Sequence, residues 1–494
     1  MSQSSEPVLK PPTGAQQAQK TFFGHPRMLA NLFSVELWER FSFYGMQGIL
    51  LYYMYYTATE GGLGISEAVA TGLVGAYGGG VYLSSILGAW VADRLLGAEK
   101  VLFYTAIMIM CGHIALAVIP GAAGLAIGLV LIALGSGGLK ATASSLVGSL
   151  YGEKDDRRDA GFSIFYMGVN IGALFGPLLT GLAQVKLGFH YGFGLAAIGM
   201  AIGLVQYALT RRNLPDTAHH VANPLPRHRY RTVAAVAIAA LVVIVLAVAF
   251  GLVTAENLAP IMAWLAIIAA VAYFAVILSS RRVTGLERKR VFAFIPLFIA
   301  SAAFWALFQQ QFTVVALYSD HQLDRHFLGW EMPPSWVQSI NPVFIIVFAG
   351  VFAALWTKLG PKQPSSPLKF ALGLAVMGLA FLAFIPLSGG GPASTPLLAM
   401  VGILFLFTMA ELFLSPTGSS VSTKLAPKAF QTQMVALYLL SISLGTTLAG
   451  ILAGYYSPEN EVPYFGFIGI TAIVLGAALA ATVPSLKKLM GGIR

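Results

Sequence analysis

Fourteen stretches of roughly 20 or more apolar residues, parted by short polar breaks, run along this 494-residue chain. The hydrocarbon core of a bilayer is crossed by about 20 residues of helix. Only helices and closed barrels satisfy every backbone group there. Runs of this length, without the strict alternation of a barrel strand, predict helices. The predicted spans are 29–57, 67–92, 99–119, 123–150, 160–185, 190–210, 232–254, 258–280, 290–318, 335–358, 368–387, 397–423, 431–456 and 463–485. Composition agrees: 57% of residues are hydrophobic and 10% charged, against about 25% charged in a soluble domain. A soluble fold would leave far more apolar surface exposed than water tolerates.

The net charge of +10 is explained by topology. With the amino terminus in the cytosol, the segments near 93–100, 152–159, 211–231, 281–290, 359–369 and 424–429 and both termini face inward. Of the 30 Lys and Arg, only four lie elsewhere: Arg40 and Lys140 inside spans, Lys186 and Arg325 in outer loops. The outer loops carry Glu60, Glu67, Glu256, Asp320, Asp324, Glu331, Glu459 and Glu461. This is the positive-inside pattern, so a nucleic-acid partner is not expected. A multi-pass protein of a bacterial inner membrane is expected, with both termini cytoplasmic and lipid as its surrounding partner.

The spans group as six, two and six. The expected division is a cytosolic tail at 1–28, a six-helix bundle at 29–212, a cytosolic linker with a two-helix hairpin at 213–288, and a second six-helix bundle at 289–494. The central pair is almost uniformly Ala, Val, Leu and Ile and reads as lipid-facing. A weak internal repeat supports two halves. Thr142-Ala-Ser-Ser in the fourth span resembles Thr417-Gly-Ser-Ser in the matching span of the second half, each preceded by a buried ionisable residue, Lys140 or Glu411. Parallel six-helix repeats are the architecture of major-facilitator transporters.

Five charges sit inside spans: Glu36, Glu39, Arg40, Lys140 and Glu411. Each costs about 2.5–3.5 kcal/mol at the centre of a helix on insertion scales, so function is the first explanation. Glu36, Glu39 and Arg40 stand at i, i+3 and i+4 and share a face, continued by Tyr44 and Gln47. One guanidinium cannot fully neutralise two carboxylates, so one of them is expected to exchange a proton. Lys140 and Glu411 either pair across a central cavity or bind the two poles of a zwitterion. Asn170, in a stretch of small residues, suits a substrate amine or carbonyl, and Trp305, Gln309 and Gln310 are placed to line the same cavity. Tyr52, Tyr53, Tyr55 and Tyr56 are expected to form an interfacial aromatic belt. The single cysteine, Cys111, excludes an intrachain disulfide, and His219, His220 and His228 read as a solvated loop. No HExxH, GxSxG or phosphate-loop motif is present, so neither an enzyme nor a cofactor or metal is expected.

The run Glu36-Leu-Trp-Glu39-Arg40-Phe41-Ser-Phe43-Tyr44-Gly45 resembles the ExxERFxYYG motif of the proton-dependent oligopeptide transporter family. Gly88-Ala-Trp-Val-Ala-Asp93-Arg94-Leu-Leu-Gly97 is similar to its first signature, and Phe162-Ser-Ile-Phe165-Tyr166-Met-Gly-Val-Asn170-Ile-Gly172 to its second. Gly135-Ser-Gly-Gly-Leu-Lys140, Asn341-Pro342 and Glu411-Leu-Phe-Leu-Ser415-Pro416 resemble further stretches, so the likeness runs from about residue 29 to 485. It implies an all-α major-facilitator fold with an extra central helix pair. It also implies symport of protons with di- and tripeptides by alternating access. The roles it implies are proton coupling at Glu36, Glu39 and Arg40, and peptide contacts at Arg40, Tyr44, Tyr82, Lys140, Asn170, Asn341, Glu411 and Ser415. Glu411 would meet the peptide amine, and Arg40 and Lys140 its carboxylate.

Departures from the pattern bear on gating. Phe43 and Tyr438 replace a tyrosine and a tryptophan common in the family. Gln47 and Gln309 stand where many members carry a basic and an acidic residue that bridge the halves. The gate is therefore expected to use Gln47, Gln309, Lys140 and Glu411, with a neutral hydrogen bond in place of an ion pair. A relative carrying another small anion, such as nitrate, is the alternative substrate class. Nothing in the sequence calls for an oligomer, and a monomer is expected.

Overall fold

The computed structural model describes residues 22–493 except 153, 154, 156, 222 and 328. Most of the expected cytosolic tail, residues 1–21, lies outside the described residues. Fourteen long helices are found among the described residues: α1 (Met28–Tyr55), α2 (Glu67–Val91), α3 (Ala98–Val118), α4 (Gly121–Ser149), α5 (Arg158–Leu187), α6 (Phe189–Thr210), α7 (Tyr230–Ala249), α8 (Leu258–Ser279), α9 (Gly285–Phe308), α10 (Ile340–Leu359), α11 (Ser366–Leu382), α12 (Leu397–Lys424), α13 (Gln431–Ala453) and α14 (Glu461–Leu489). Each predicted span coincides with one of them. Twelve are long and apolar enough to cross a membrane. The other two are α1, which carries the three charges, and α2, which is diluted by glycine, serine and tyrosine. Charge and glycine in a long buried helix are what a functional surface requires and what an average hydropathy penalises. The chain is an all-helical, multi-pass membrane protein, apart from a two-residue hairpin that pairs His326–Phe327 with Trp330–Glu331.

Helices α1 to α6 pack among themselves, chiefly α1 on α5 and α6, α3 on α4 and α6, and α2 on α4. In the second half α11 packs on α14 and α12, and α9 on α13. The contacts between these groups run mainly through α2 against α13 and through α5 against α10 and the turn before it. Helix packing in lipid relies on small residues at the contact. A Cβ added to Gly88 would lie 2.5 Å from the Cα of Gly138, which fixes the α2–α4 crossing.

The central pair does not behave as a unit. No residue of α7 is buried, whereas α8 buries Ala259, Ala263, Ala266 and Ala270 against the α2–α13 seam. The linker between α6 and α7 docks on the turn after α2: Asn223 N donates to Asp93 O and Leu225 N to Arg94 O, both at 2.9 Å. His219 is not simply solvated, because its Nδ1 lies 3.6 Å from Glu99, which also pairs with Arg211 at 3.1 Å.

Candidate functional site

The site begins with α1. Its helical spacing brings Arg40 back on Glu36, and Arg40 Nε donates to Glu36 Oε1 at 2.8 Å while lying 3.2 Å from Glu39 Oε2. Ser136 of α4 donates to Glu39 Oε1 at 3.1 Å. Glu36 Oε2 is buried with no partner among the described residues, and Glu39 Oε2 has only the Arg40 Nε already engaged by Glu36. A buried carboxylate with a bare oxygen is strongly disfavoured while ionised, and a proton on that oxygen is the local remedy. The cluster therefore has more acceptor capacity than its one cation can satisfy. The terminal nitrogens of Arg40 make no hydrogen bond to the described residues and remain free for another anion.

Above this cluster lies a cavity of about 120 Å³ between the two groups of helices. Tyr44, Gln47, Tyr82, Lys140, Asn170, Trp305, Gln309, Asn341 and Glu411, all singled out from the sequence, line it together. Lys140 Nζ lies 4.4 Å from the Tyr82 ring centre and 5.3 Å from that of Phe43. Aromatic faces of this kind hold a cation without neutralising it. Phe43 thus contributes a ring in place of the hydroxyl that a tyrosine would have brought. On the opposite wall, Asn341 Nδ2 donates to Thr408 Oγ1 at 3.0 Å and reaches Glu411 Oε2 at 3.4 Å. Lys140 and Glu411 form no ion pair among the described residues, so they do not close the cavity by pairing with each other. Asn170 donates to the carbonyl of Tyr166 one turn away, which leaves its own oxygen available.

Four expected site residues stand outside this lining. Glu36, Glu39 and Arg40 form the buried cluster beside it. Ser415 lies one turn beyond Glu411 and takes the Tyr438 hydroxyl on its backbone carbonyl at 3.2 Å. Gln310 is a correction: its Nε2 donates to Ala306 O and its Oε1 accepts from Tyr464, so it faces away from the cavity. Among the lining residues that sequence reasoning missed are Tyr166, Gln311, Phe312, Gln338 and Thr446. Gln311 follows two glutamines already flagged and was within reach; Gln338 sits in an unpatterned turn and carried no signal.

The cavity is shut on the side away from the chain termini, and not by the residues expected. The tyrosines at the end of α1 are no belt. Tyr52 and Tyr53 are almost fully buried: Tyr53 packs on Phe189 and Phe193 of α6, and the other three tyrosines carry hydroxyls that reach across to the second half. Tyr52 donates to Ala316 O at 3.3 Å, Tyr55 donates to Asp320, and Tyr56 donates to the same carboxylate at 3.0 Å. His321 Nε2 lies 3.4 Å from Glu67 Oε1 at the start of α2. Trp336 and Ser339 donate to the carbonyls of Leu178 and Leu174 on α5. Gln47 and Gln309 share the cavity wall, but no hydrogen bond joins them among the described residues.

On the side of the termini no hydrogen bond among the described residues joins the two groups of helices. Ser144 follows Lys140 by one turn and is exposed; Ser419, two turns beyond Glu411, is exposed as well, and so is Tyr166, one turn before Asn170. The hydrogen bonds between the two groups of helices are confined to the outer end and the middle of the molecule.

This geometry has close relatives. The sequence model of the POT family (PTR2) matches residues 99–469. The chain belongs to the POT family. A di-/tripeptide transporter of Lactococcus lactis subsp. cremoris is 39% identical over 97% of this chain and 99% of its own. An uncharacterized transporter of Bacillus subtilis, YclF, is 42% identical over 96% and 97%. Among solved structures, a mutant of the peptide transporter POT in complex with alafosfalin superposes with a TM-score of 0.91 at 47% identity, covering 96% of this chain and 98% of that one. A POT family transporter in complex with 5-aminolevulinic acid gives 0.89 at 38% identity, covering 95% and 98%. This POT chain therefore has the major-facilitator type of fold seen in those structures. Membership of a transporter family sets aside the enzyme and receptor readings.

Proposed function

We infer that this POT chain imports di- and tripeptides together with protons by alternating access, and that it stands here with its outer end closed. One observation carries the reading. The cavity holds a cation, Lys140, and an anion, Glu411, on opposite walls, neither paired with a charge, and its other lining residues are uncharged. A zwitterion of peptide length satisfies both at once, with its amine at Glu411 and Asn341 and its carboxylate at Lys140 and the free guanidinium nitrogens of Arg40. A lone small anion such as nitrate would leave Glu411 without a partner. The relatives named as di-/tripeptide transporters support the same substrate class.

The proton belongs, in this reading, to the Glu36–Glu39–Arg40 cluster. A peptide carboxylate arriving at Arg40 competes with the two glutamates for one guanidinium, and the displaced carboxylate takes up the proton. Substrate and proton are thereby linked through a shared cation. Tyr44, Tyr82, Asn170 and Trp305 shape the pocket, with Ser415 at its lower edge. The two moving bodies are residues 29–212 and 289–494, joined through 213–288, in a bacterial inner membrane with both termini cytoplasmic, and one chain suffices.

Uptake of labelled dialanine into liposomes under an inward proton gradient tests the proposal. Accumulation above the outside concentration, collapsed by an ionophore and competed by tripeptides, is expected. Competition by nitrate but not by peptides would overturn it.

A further inference from the structure

The outer end of the cavity is lined by an unusual set of side chains. Gln47 comes from α1, one turn outward of Tyr44. Gln309 and Gln311 come from the turn that ends α9, and Gln338 from the turn that opens α10. None of the four makes a hydrogen bond to another described residue. Gln47, Gln311 and Gln338 are each more than nine-tenths buried. The Oε1 atoms of Gln47 and Gln338 are fully shielded and have no partner. The second of these is packed against α1, where a Cβ added to Gly48 would lie 3.5 Å from it.

Buried amides are normally paired, because an unmet donor or acceptor loses its hydrogen bonds to water and gains none. Four amides from three segments, converging unpaired on one cavity, are arranged for something that enters it. We propose that they form a side-chain subsite for neutral hydrogen-bonding groups, best an amide, on the bound peptide. The proposal rests on the peptide reading above and adds which peptides are preferred. An amide side chain carries two donors and an acceptor, and each glutamine can turn over to present either function. A carboxylate or ammonium side chain would find no counter-charge among the glutamines, since the charged residues of the lining are Lys140 and Glu411, which the peptide's own poles occupy. A methionine side chain matches glutamine in length but leaves every amide unmet. Sites built to bond a polar group reject analogues that lack it.

The test is competition against labelled dialanine by Gln-Ala and Ala-Gln, each beside its methionine, glutamate and lysine counterpart. In one of the two orders, the glutamine peptide is expected to compete roughly three- to tenfold better than the methionine peptide, the range of about one net hydrogen bond, and better than the charged ones. In Gln47→Met and Gln338→Met that ratio is expected to fall toward one. A gating role would shift both inhibition constants together and leave the ratio unchanged, which would overturn the subsite, as would a glutamine-to-methionine ratio near one in the native protein. If dialanine itself neither binds nor is transported, the peptide reading fails instead, and the two failures are told apart in one assay.

Discussion

Gly75 on α2 and Gly450 on α13 meet backbone to backbone: a Cβ on Gly75 would lie 2.7 Å from the Cα of Gly450, and one on Gly450 would lie 2.8 Å from the Cα of Gly75. This contact belongs to the closed outer end, and only glycine permits it. Gly75→Val is expected to wedge α2 away from α13. Spin labels on the outer ends of these helices would then show a longer distance than in the native protein, and uptake would fall by on the order of tenfold, a shift of about 1.4 kcal/mol. Unchanged distances would mean that the seam does not control closure.

The clasp between Glu67 and His321 is ionic only when His321 carries its proton. It faces the hydroxyl-bonded Asp320, Arg325 at 3.6 Å from that carboxylate, and the Tyr55 ring. The contact ties the start of α2 to the chain after α9 and so adds to the closed outer end. His321→Ala removes it. The outer ends of these helices, read by the same spin labels, are then expected to lie further apart on average than in the native protein. An unchanged distance distribution would remove the pair from the clasp.

Glu39 is fully shielded and shares its one neighbouring guanidinium with Glu36, so it is the stronger candidate for the moving proton. Glu39→Gln keeps the shape and the Ser136 contact but carries no exchangeable carboxyl proton. Accumulation driven by the proton gradient should disappear, while counterflow exchange of peptide across the membrane persists. If the variant still concentrates dialanine, proton coupling lies elsewhere.

Glu411 is expected to anchor the peptide amine. Capping that amine should weaken competition in the native protein by about 1.5–3 kcal/mol, on the order of ten- to a hundredfold. In Glu411→Ala the same cap should change little, because the contact it removes is already gone. Equal losses in both proteins would take Glu411 out of that role.

The helices were legible because the bilayer enforces a simple rule: length and apolar composition decide a span, and every predicted span became a helix. The α1 cluster was legible because i, i+3 and i+4 spacing is local. Lys140 and Glu411 were found because charge in a span is costly, and Asn170 and Asn341 because their motifs resemble a family pattern. What failed depended on tertiary contacts. Tyr52 and Tyr55 look like interfacial anchors until α1 is set beside the chain around Asp320. Gln310 looks like its neighbours until the turn of a 3-10 segment points it at Tyr464. Gln338 had no periodic context at all. A gate is a meeting of distant segments, and composition along one segment does not announce it.

Among the described residues, no hydrogen bond between α1–α6 and the chain from α9 onward lies in the half nearer the termini. A peptide in the external medium finds the entrance shut in this conformation and binds only when the clasp opens. Its apparent dissociation constant is the intrinsic one divided by the open fraction, so an entrance open for about one part in a hundred weakens apparent affinity about a hundredfold. Half-saturation of uptake then measures the clasp as much as the pocket, and a variant that loosens the clasp would look like a better binder without a single changed contact to peptide.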